Sequence, residues 1–318
     1  MSELDRSPGN DWERRTLEKV ALAAIHEQRR ARRWGIFFKF LIFIYLFTVL
    51  FLWLGWVGKK DTSTGKHTAL VELRGVIGPD SGASADNVIT GLQEAFKDKR
   101  TQGVILRINS PGGSPVQAGH INDEIKRLRA KYPSIPMYAV VEDICASGGY
   151  YVAVAADHIY VDKGSIIGSI GVLMDGFGFT GLMDKLGIER RLLAAGENKG
   201  FLDPFSPIRD SQVHYAESML EEIHKQFITV VREGRGKRLK ETPELFSGLL
   251  WVGTRSVELG LADALGSVDY VAREVIKAED IVDFTPRENI AERVARRFGA
   301  AMAETLVRTA VTNPLTIR

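Results

Sequence analysis

A single cysteine in 318 residues leaves no partner for an intrachain disulfide and too few thiols for a Cys₄ or Cys₂His₂ zinc site. The histidines His26, His67, His120, His158, His214 and His224 are scattered and form no His-Glu-x-x-His pair, so metal chemistry is unsupported. Neither sign of charge dominates. A formal net charge of +2 is too small to argue for a nucleic-acid partner. No internal repeat and no low-complexity tract interrupts the chain. What is present is 45% hydrophobic content, enough for a membrane segment and one domain of roughly 200 to 250 residues with a full core.

The run Phe40 to Val57 holds eighteen residues without a charge. With the flanking Trp34 to Lys39 it predicts a helix of about 36 Å, against a hydrocarbon core of roughly 30 Å. Trp34, Trp53 and Trp56 fall near its two ends, where aromatic rings favour the membrane interface. The segment runs straight into Lys59-Lys60-Asp61, whereas a cleavable signal peptide has a shorter apolar region and a small-residue cut site, so a retained anchor is expected over 34–57. Before it, residues 1–33 carry Arg14, Arg15, Lys19, Arg29, Arg30, Arg32 and Arg33, compatible with a surface helix or a disordered tail. This basic excess predicts a cytoplasmic N-terminus in the inner membrane and an extracytoplasmic location for everything after Lys60. Residues 58–67 read as a polar linker, 68–285 as the main domain, and 286–318 as an amphipathic, Arg-bearing tail without signs of chemistry.

Within the domain, strand and helix patterns alternate. Strands are expected over Thr68–Ile77, Gly103–Ile108 and Pro136–Val141, with helices over Asp86–Lys97 (capped by Asp86), Val116–Lys131 and Ala146–Ala156. That alternation predicts a parallel sheet of βα units. Further on, Arg209–Glu233 reads as a packing helix with Val213, Ala216, Met219, Leu220, Ile223, Phe227 and Val230 on one side. Val268–Lys277 reads as a last helix and Ile281–Phe284 as a closing strand.

The most informative stretch is Cys145-Ala-Ser-Gly-Gly-Tyr-Tyr151, where a buried strand turns into a helix. Ser147 stands at the helix entrance, where its hydroxyl can cap a free backbone N–H. The Gly-Gly after it leaves that hydroxyl open and lets another backbone approach, which makes Ser147 a candidate nucleophile. The Gly148 N–H would then face the oxygen of an attacked carbonyl. A second Gly-Gly turn, Asn109-Ser-Pro-Gly112-Gly113, follows the preceding strand, at the end of the sheet where α/β proteins place ligand sites. Gly113 and Gly148 N–H groups meeting there would form a two-donor oxyanion hole, worth roughly 3 to 4 kcal/mol of barrier per donor. Cys145 is a rival thiol nucleophile, or else a small buried side chain. Gly176-Phe-Gly-Phe-Thr-Gly181 matches a dinucleotide fingerprint, but the helix after it is too short, so it is read as a turn and no cofactor is expected.

Asn109-Ser-Pro-Gly-Gly113, Ala146-Ser-Gly-Gly-Tyr-Tyr151 and Gly168-Ser-Ile-Gly171, in this order, resemble the signal peptide peptidase A family of membrane-anchored serine proteases. Trp251 to Asp263 also resembles a segment of it, and the likeness runs roughly from Leu70 to Ile276. The resemblance implies an α/β, crotonase- and Clp-protease-like βα superhelix and a serine–lysine dyad acting on remnant signal peptides. It implies Ser147 as nucleophile, Gly112, Gly113 and Gly148 at the oxyanion and substrate-binding site, and Ser169 hydrogen-bonded to the lysine. The family places that lysine about fifty residues after the serine, which points to Lys199 in Ala195-Gly-Glu-Asn-Lys199-Gly; Lys163 and Lys185 fall outside the matching motif. An unperturbed lysine of pKa near 10.4 is neutral in only about 1 molecule in 2,500 at pH 7, so Lys199 must be desolvated to act as a base. Phe201-Leu202 and Leu192 to Ala195 are the expected cover, and a pairing carboxylate at Glu197 would defeat it. With one copy of the family domain, the resemblance further implies a ring-shaped homo-oligomer, in which Lys199 serves Ser147 of its own or an adjacent subunit. Two other readings stand beside this one: a non-catalytic membrane scaffold, and a crotonase-like acyl-CoA enzyme, which the predicted external location disfavours.

Overall fold

The computed structural model describes residues 9–57 and 65–286; the linker residues 58–64 and the tail from 287 lie outside the described residues. Two compact units are present, one containing the N-terminal helix and the other formed by Asp61–Glu288. The helix, α1 (Gly9–Val57), is continuous over 49 residues, so the described part of the basic segment is helical and runs directly into the apolar stretch. Arg15–Phe51 is long and apolar enough to cross a membrane. Inside the apolar run, the Thr48 hydroxyl is satisfied within the helix: its Oγ1 donates to the Ile44 carbonyl at 2.8 Å.

The domain is α/β. Its strands are β1 (His67–Arg74), β2 (Thr101–Ser110), β3 (Met137–Ala146), β4 (His158–Val161), β5 (Ile166–Gly168), β6 (Leu250–Val252), β7 (Ala264–Leu265) and β8 (Ile281–Asp283). The order across the sheet is β6-β5-β3-β2-β1-β8, with β4 pairing β3 and β7. All pairings are parallel except β5 with β6. Two helices, α2 (Ala85–Lys97) and α3 (Pro115–Lys131), are the crossovers between the first three strands. Alternation along the strands sorts the two faces. Ala69, Val71 and Leu73 join Val104, Leu106, Ile108, Met137, Ala139 and Val141 in the main core, against Val88, Leu92 and Phe96 of α2 and Ile121 and Ile125 of α3. The opposite face is smaller: Leu70, Ile105, Tyr138 and Val140 meet Val271 and Ala272.

Strand β3 is the axis of the sheet. Tyr138 to Val140 pair with β4, and Ile144 to Ala146 pair with β5, so the strand changes neighbour along its length. It was expected to stop at Val141, where Glu142 and Asp143 break the apolar run. Instead an irregularity in register against β2, between Ile108 and Ser110, carries the backbone past those two polar residues to Ala146. The helix after it is correspondingly shorter than expected: α4 spans Gly148–Ala153. Other boundaries shift for local reasons. Ser84, not Asp86, caps α2. The expected helix over Val268–Lys277 is α8 (Val268–Tyr270) continued by a π-helical turn, Val271–Ile276. The packing helix is α6 (Asp210–Arg235), preceded by the short α5 (Thr180–Leu186) and followed by α7 (Gly253–Glu258).

The late part of the chain is tied to the sheet by one buried ion pair. Arg235, 1% exposed, donates to both oxygens of Asp263 at 2.9 Å and to the Gly260 carbonyl at 2.7 Å. Asp263 also accepts the Ile159 N–H at 2.7 Å, which locks β4 into place. Burial pushes the Asp263 carboxyl up, but the Arg235 hydrogen bonds and charge, with the Ile159 N–H and Arg238, outweigh it and hold the group below the usual carboxylate range. Its contribution to stability is therefore present above the carboxylate pKa of the unfolded chain, about 3.9, and is lost as pH falls through the lower folded value. Replacing Asp263 by Ala leaves the Arg235 charge buried without its partner, and chemical denaturation of the solubilised protein should show a loss of about 3 to 5 kcal/mol at neutral pH that shrinks toward pH 2.

Candidate active site

Ser147 sits where β3 ends and α4 begins, at φ 50° and ψ −124°. This is a sparsely populated region for a residue with a Cβ, and it persists only where the surroundings enforce it. Here they do: the Ser147 N–H donates to the Gly168 carbonyl at 2.8 Å, and its carbonyl accepts the Tyr151 N–H at 3.0 Å. Its hydroxyl makes no capping hydrogen bond, so the helix-cap role possible from sequence is not the one observed.

The second Gly-Gly turn lies against it. A Cβ on Gly112, which is at φ +100°, would stand 2.7 Å from both the Gly148 nitrogen and the Ser147 Cβ. A Cβ on Gly113 would run into the Ile77 carbonyl, because Ile77 and Gly113 form an isolated parallel bridge. That bridge is made by Ile77 N–H to the Gly112 carbonyl (2.8 Å) and Ser114 N–H to the Ile77 carbonyl (2.9 Å). Neither bond uses the Gly113 N–H. The Gly148 N–H, in the first turn of α4, has no helical acceptor, and among the described residues neither N–H is engaged. An ideal Cβ on Gly148 lies 3.4 Å from the Gly113 nitrogen, so the two donors are neighbours.

Ser110, which lies within the first glycine motif, has a structural role that the motif does not reveal. It is fully buried, donates from Oγ to the Gly75 carbonyl at 2.7 Å, and accepts the Gly112 N–H at 3.1 Å. Its own carbonyl lies 3.0 Å from where a Gly149 Cβ would be. A serine just before a Gly-Gly turn is a recognisable side-chain-to-backbone turn former, which is the signal that could have singled it out.

Ser169 also has a left-handed backbone, φ 49°, and donates its N–H to the Leu249 carbonyl at 2.8 Å. Through the Gly168 carbonyl it belongs to the same backbone network as Ser147. Lys199 stands apart. It lies exposed on a turn closed by its own N–H to the Gly196 carbonyl at 3.1 Å. Among the described residues no hydrogen bond joins its Nζ to Ser147 or Ser169, and no ion pair joins it to Glu197. The cover expected from its flanks is not supplied within one chain: Leu192 to Ala195 are exposed, and Phe201 and Leu202 are half-buried. Cys145 is completely buried, and burial alone pushes its thiol up, away from the thiolate a nucleophile needs. Gly176 to Phe179 has no regular structure, and α5, which takes in Thr180 and Gly181, is only seven residues long, too short for a dinucleotide-binding unit.

The chain is similar to known proteases over most of this domain. The model of peptidase family S49 matches residues 129–282. A putative protease of Methanocaldococcus jannaschii is 32% identical over 216 residues, 66% of this chain and 68% of its own length. A putative signal peptide peptidase SppA of Enterococcus faecium is 28% identical over 235 residues, 71% of this chain and 67% of its own. A Na(+)/H(+) antiporter NhaA of Brucella melitensis is 46% identical over 177 residues, 56% of this chain; the chain spans 24% of that protein's length. Among solved structures, a ClpP1 mutant of Listeria monocytogenes aligns over 62% of this chain and 91% of its own at 14% identity and a TM-score of 0.39. The chain belongs to peptidase family S49, the signal peptide peptidase A family.

Two substitutions probe the glycine crossing. Gly112→Ala places a methyl against Ser147 and Gly148, and should lower the rate of covalent labelling of the protein by a fluorophosphonate by about 10² or more. Ser110→Ala frees the Gly112 N–H and should lower the same rate less, while thermal unfolding still shows a cooperative transition.

Proposed function

We propose that this chain is a membrane-anchored serine endopeptidase. Ser147 Oγ attacks the scissile carbonyl and gives its proton to the neutral amine of Lys199. The Gly113 and Gly148 N–H groups donate to the developing oxyanion, with Gly112 keeping the two backbones in contact. The lysine then returns the proton to the departing amine, and water releases the acyl group by the reverse sequence. Ser169 hydrogen-bonds the lysine and sets its direction. The observation that carries this reading is a serine in a strained backbone, its hydroxyl uncommitted as a cap, beside two neighbouring N–H donors that are unengaged among the described residues.

The lysine side of the dyad is the part that a single chain leaves solvated. Residues 171–209, which bear Lys199, also expose Leu173 (80%), Phe177 (80%) and Leu193 (97%). Apolar exposure on that scale marks a surface that another chain covers, and covering it would strip water from Lys199. A ring of identical subunits, in which Lys199 approaches the Ser147 of its own chain or a neighbour's, satisfies both needs. The helix over 34–57 then holds the assembly in the bacterial inner membrane, N-terminus inside, and the substrates are apolar peptides near its outer face, such as the remnant signal peptides suggested by the name of the enterococcal relative.

The decisive measurement is turnover of an apolar peptide by the solubilised protein from pH 6 to 10. The rate should rise with pH along one limb, Ser147→Ala and Lys199→Ala should each be inactive, and Cys145→Ala should retain activity. Failure of a serine-reactive probe to label Ser147 would instead favour a scaffold that kept the fold without the reaction. A monomer with full activity would overturn the ring.

A further inference from the structure

The run Gly168 to Gly171 leaves the sheet after β5, so each of its polar backbone groups needs a partner outside a regular ladder. Three find backbone: the Gly168 carbonyl takes the Ser147 N–H at 2.8 Å, the Ser169 N–H goes to Leu249 at 2.8 Å, and the Ser169 carbonyl takes the Gly171 N–H at 2.9 Å. The Ile170 carbonyl is held by a side chain. His224 Nε2 lies 3.0 Å from it. A carbonyl oxygen can only accept, so this contact assigns the hydrogen to Nε2, and the imidazole offers that N–H whether neutral or protonated.

His224 is half-buried on α6, a helix whose seating is firm on the same side. Phe227, one turn later, packs its ring 5.2 Å from that of Tyr151 in α4. Gly234 approaches the Val154 carbonyl so closely that a Cβ there would collide with it. One helix therefore braces both α4, which Ser147 opens, and the loop that carries Ser169. The Ile170 side chain is itself fully buried, which leaves its peptide little freedom to find another partner.

We propose that His224 is a positioning residue for the peptidase reaction. By holding the Ile170 carbonyl it keeps Ser169 in its left-handed conformation, and so sets where the Ser169 hydroxyl meets the general base. The inference rests on the roles given above to Ser147 and Ser169, and His224 itself touches no reacting atom.

The test uses the detergent-solubilised full chain, with kcat and KM on an apolar peptide and thermal unfolding as readouts. His224→Leu should lower kcat about tenfold to a hundredfold with KM and Tm little changed, and His224→Gln, whose amide N–H reaches a similar distance, should recover most of that loss. In a Ser169→Ala background, His224→Leu should cost nothing further, because the residue acts through Ser169. If His224→Leu lowers Tm, His224→Asn replaces it, since its shorter amide falls short of the carbonyl that Gln reaches. Wild-type rates in all His224 variants would overturn the inference, as would equal impairment by Leu, Asn and Gln, or effects that multiply on the Ser169→Ala background. Full turnover by Ser147→Ala would sink the peptidase reading itself, whereas an inactive Ser147→Ala beside fully active His224 variants would sink only the role given to His224.

Discussion

Two stretches of main chain touch at the heart of this domain, and almost everything around the site follows from how closely they do so. Where the turn after β2 meets the turn after β3, a Cβ on Gly112 would collide with the Gly148 nitrogen, the Ser147 Cβ and the Ala146 carbonyl oxygen, all within 2.8 Å. A side chain at that crossing would push the strands apart. Glycine there is a packing requirement first, and the arrangement proposed to bind the oxyanion is its by-product: two N–H groups brought side by side with no acceptor of their own among the described residues. The buried Ser110 and the short bridge from Ile77 hold one partner of the crossing, and the bond from Ser147 to Gly168 holds the other.

Much of this was visible in the residues alone. The alternation that yields β1, β2 and the two crossover helices is strong because each strand buries both faces for part of its length and each helix carries one apolar stripe. The Gly-Gly pairs announced themselves for the same steric reason that the structure uses them. What could not be read locally was set by distant partners. Glu142 and Asp143 look like the end of a strand, yet β3 continues because β5 arrives to pair with Ile144 to Ala146. The last helix widens into a π turn whose Ile276 packs against Gly103 of β2. His224 gives no sign in sequence, since its acceptor lies 54 residues away in the chain. The desolvation expected of Lys199 from its apolar neighbours fails within one chain because Leu192 to Ala195 are exposed with it, while the half-buried Phe201 packs on Tyr215.

Residues 171–209 differ in character from the rest of the domain. The sheet and its helices have a closed core, whereas this segment encloses, with α6, an open cavity of about 860 Å³ lined by residues such as Met174, Phe177, Leu202 and Val213. It is composed like an interior and exposed like a surface. The half of the proposed site that comprises Ser147, the glycines and Ser169 is thus built from the closed core, while the proposed base, Lys199, comes from the part of the chain with the least packing of its own. Such a division separates what must be held still from what association can bring into place.

The pairing of β8 with β1 has a consequence for how the domain is made. Thr68, at the start of the first strand, hydrogen-bonds Ala278, 210 residues later, and Thr68 to Leu70 pair with Ile281 to Asp283. Until nearly the whole domain has emerged, β1 keeps one unpaired edge, the kind of edge that recruits foreign strands. A sheet that closes with its last strand has high contact order and folds slowly. For a chain threaded N-terminus first, that edge is a period of vulnerability to aggregation, and it ends when the arrival of residues 278–283 completes the sheet.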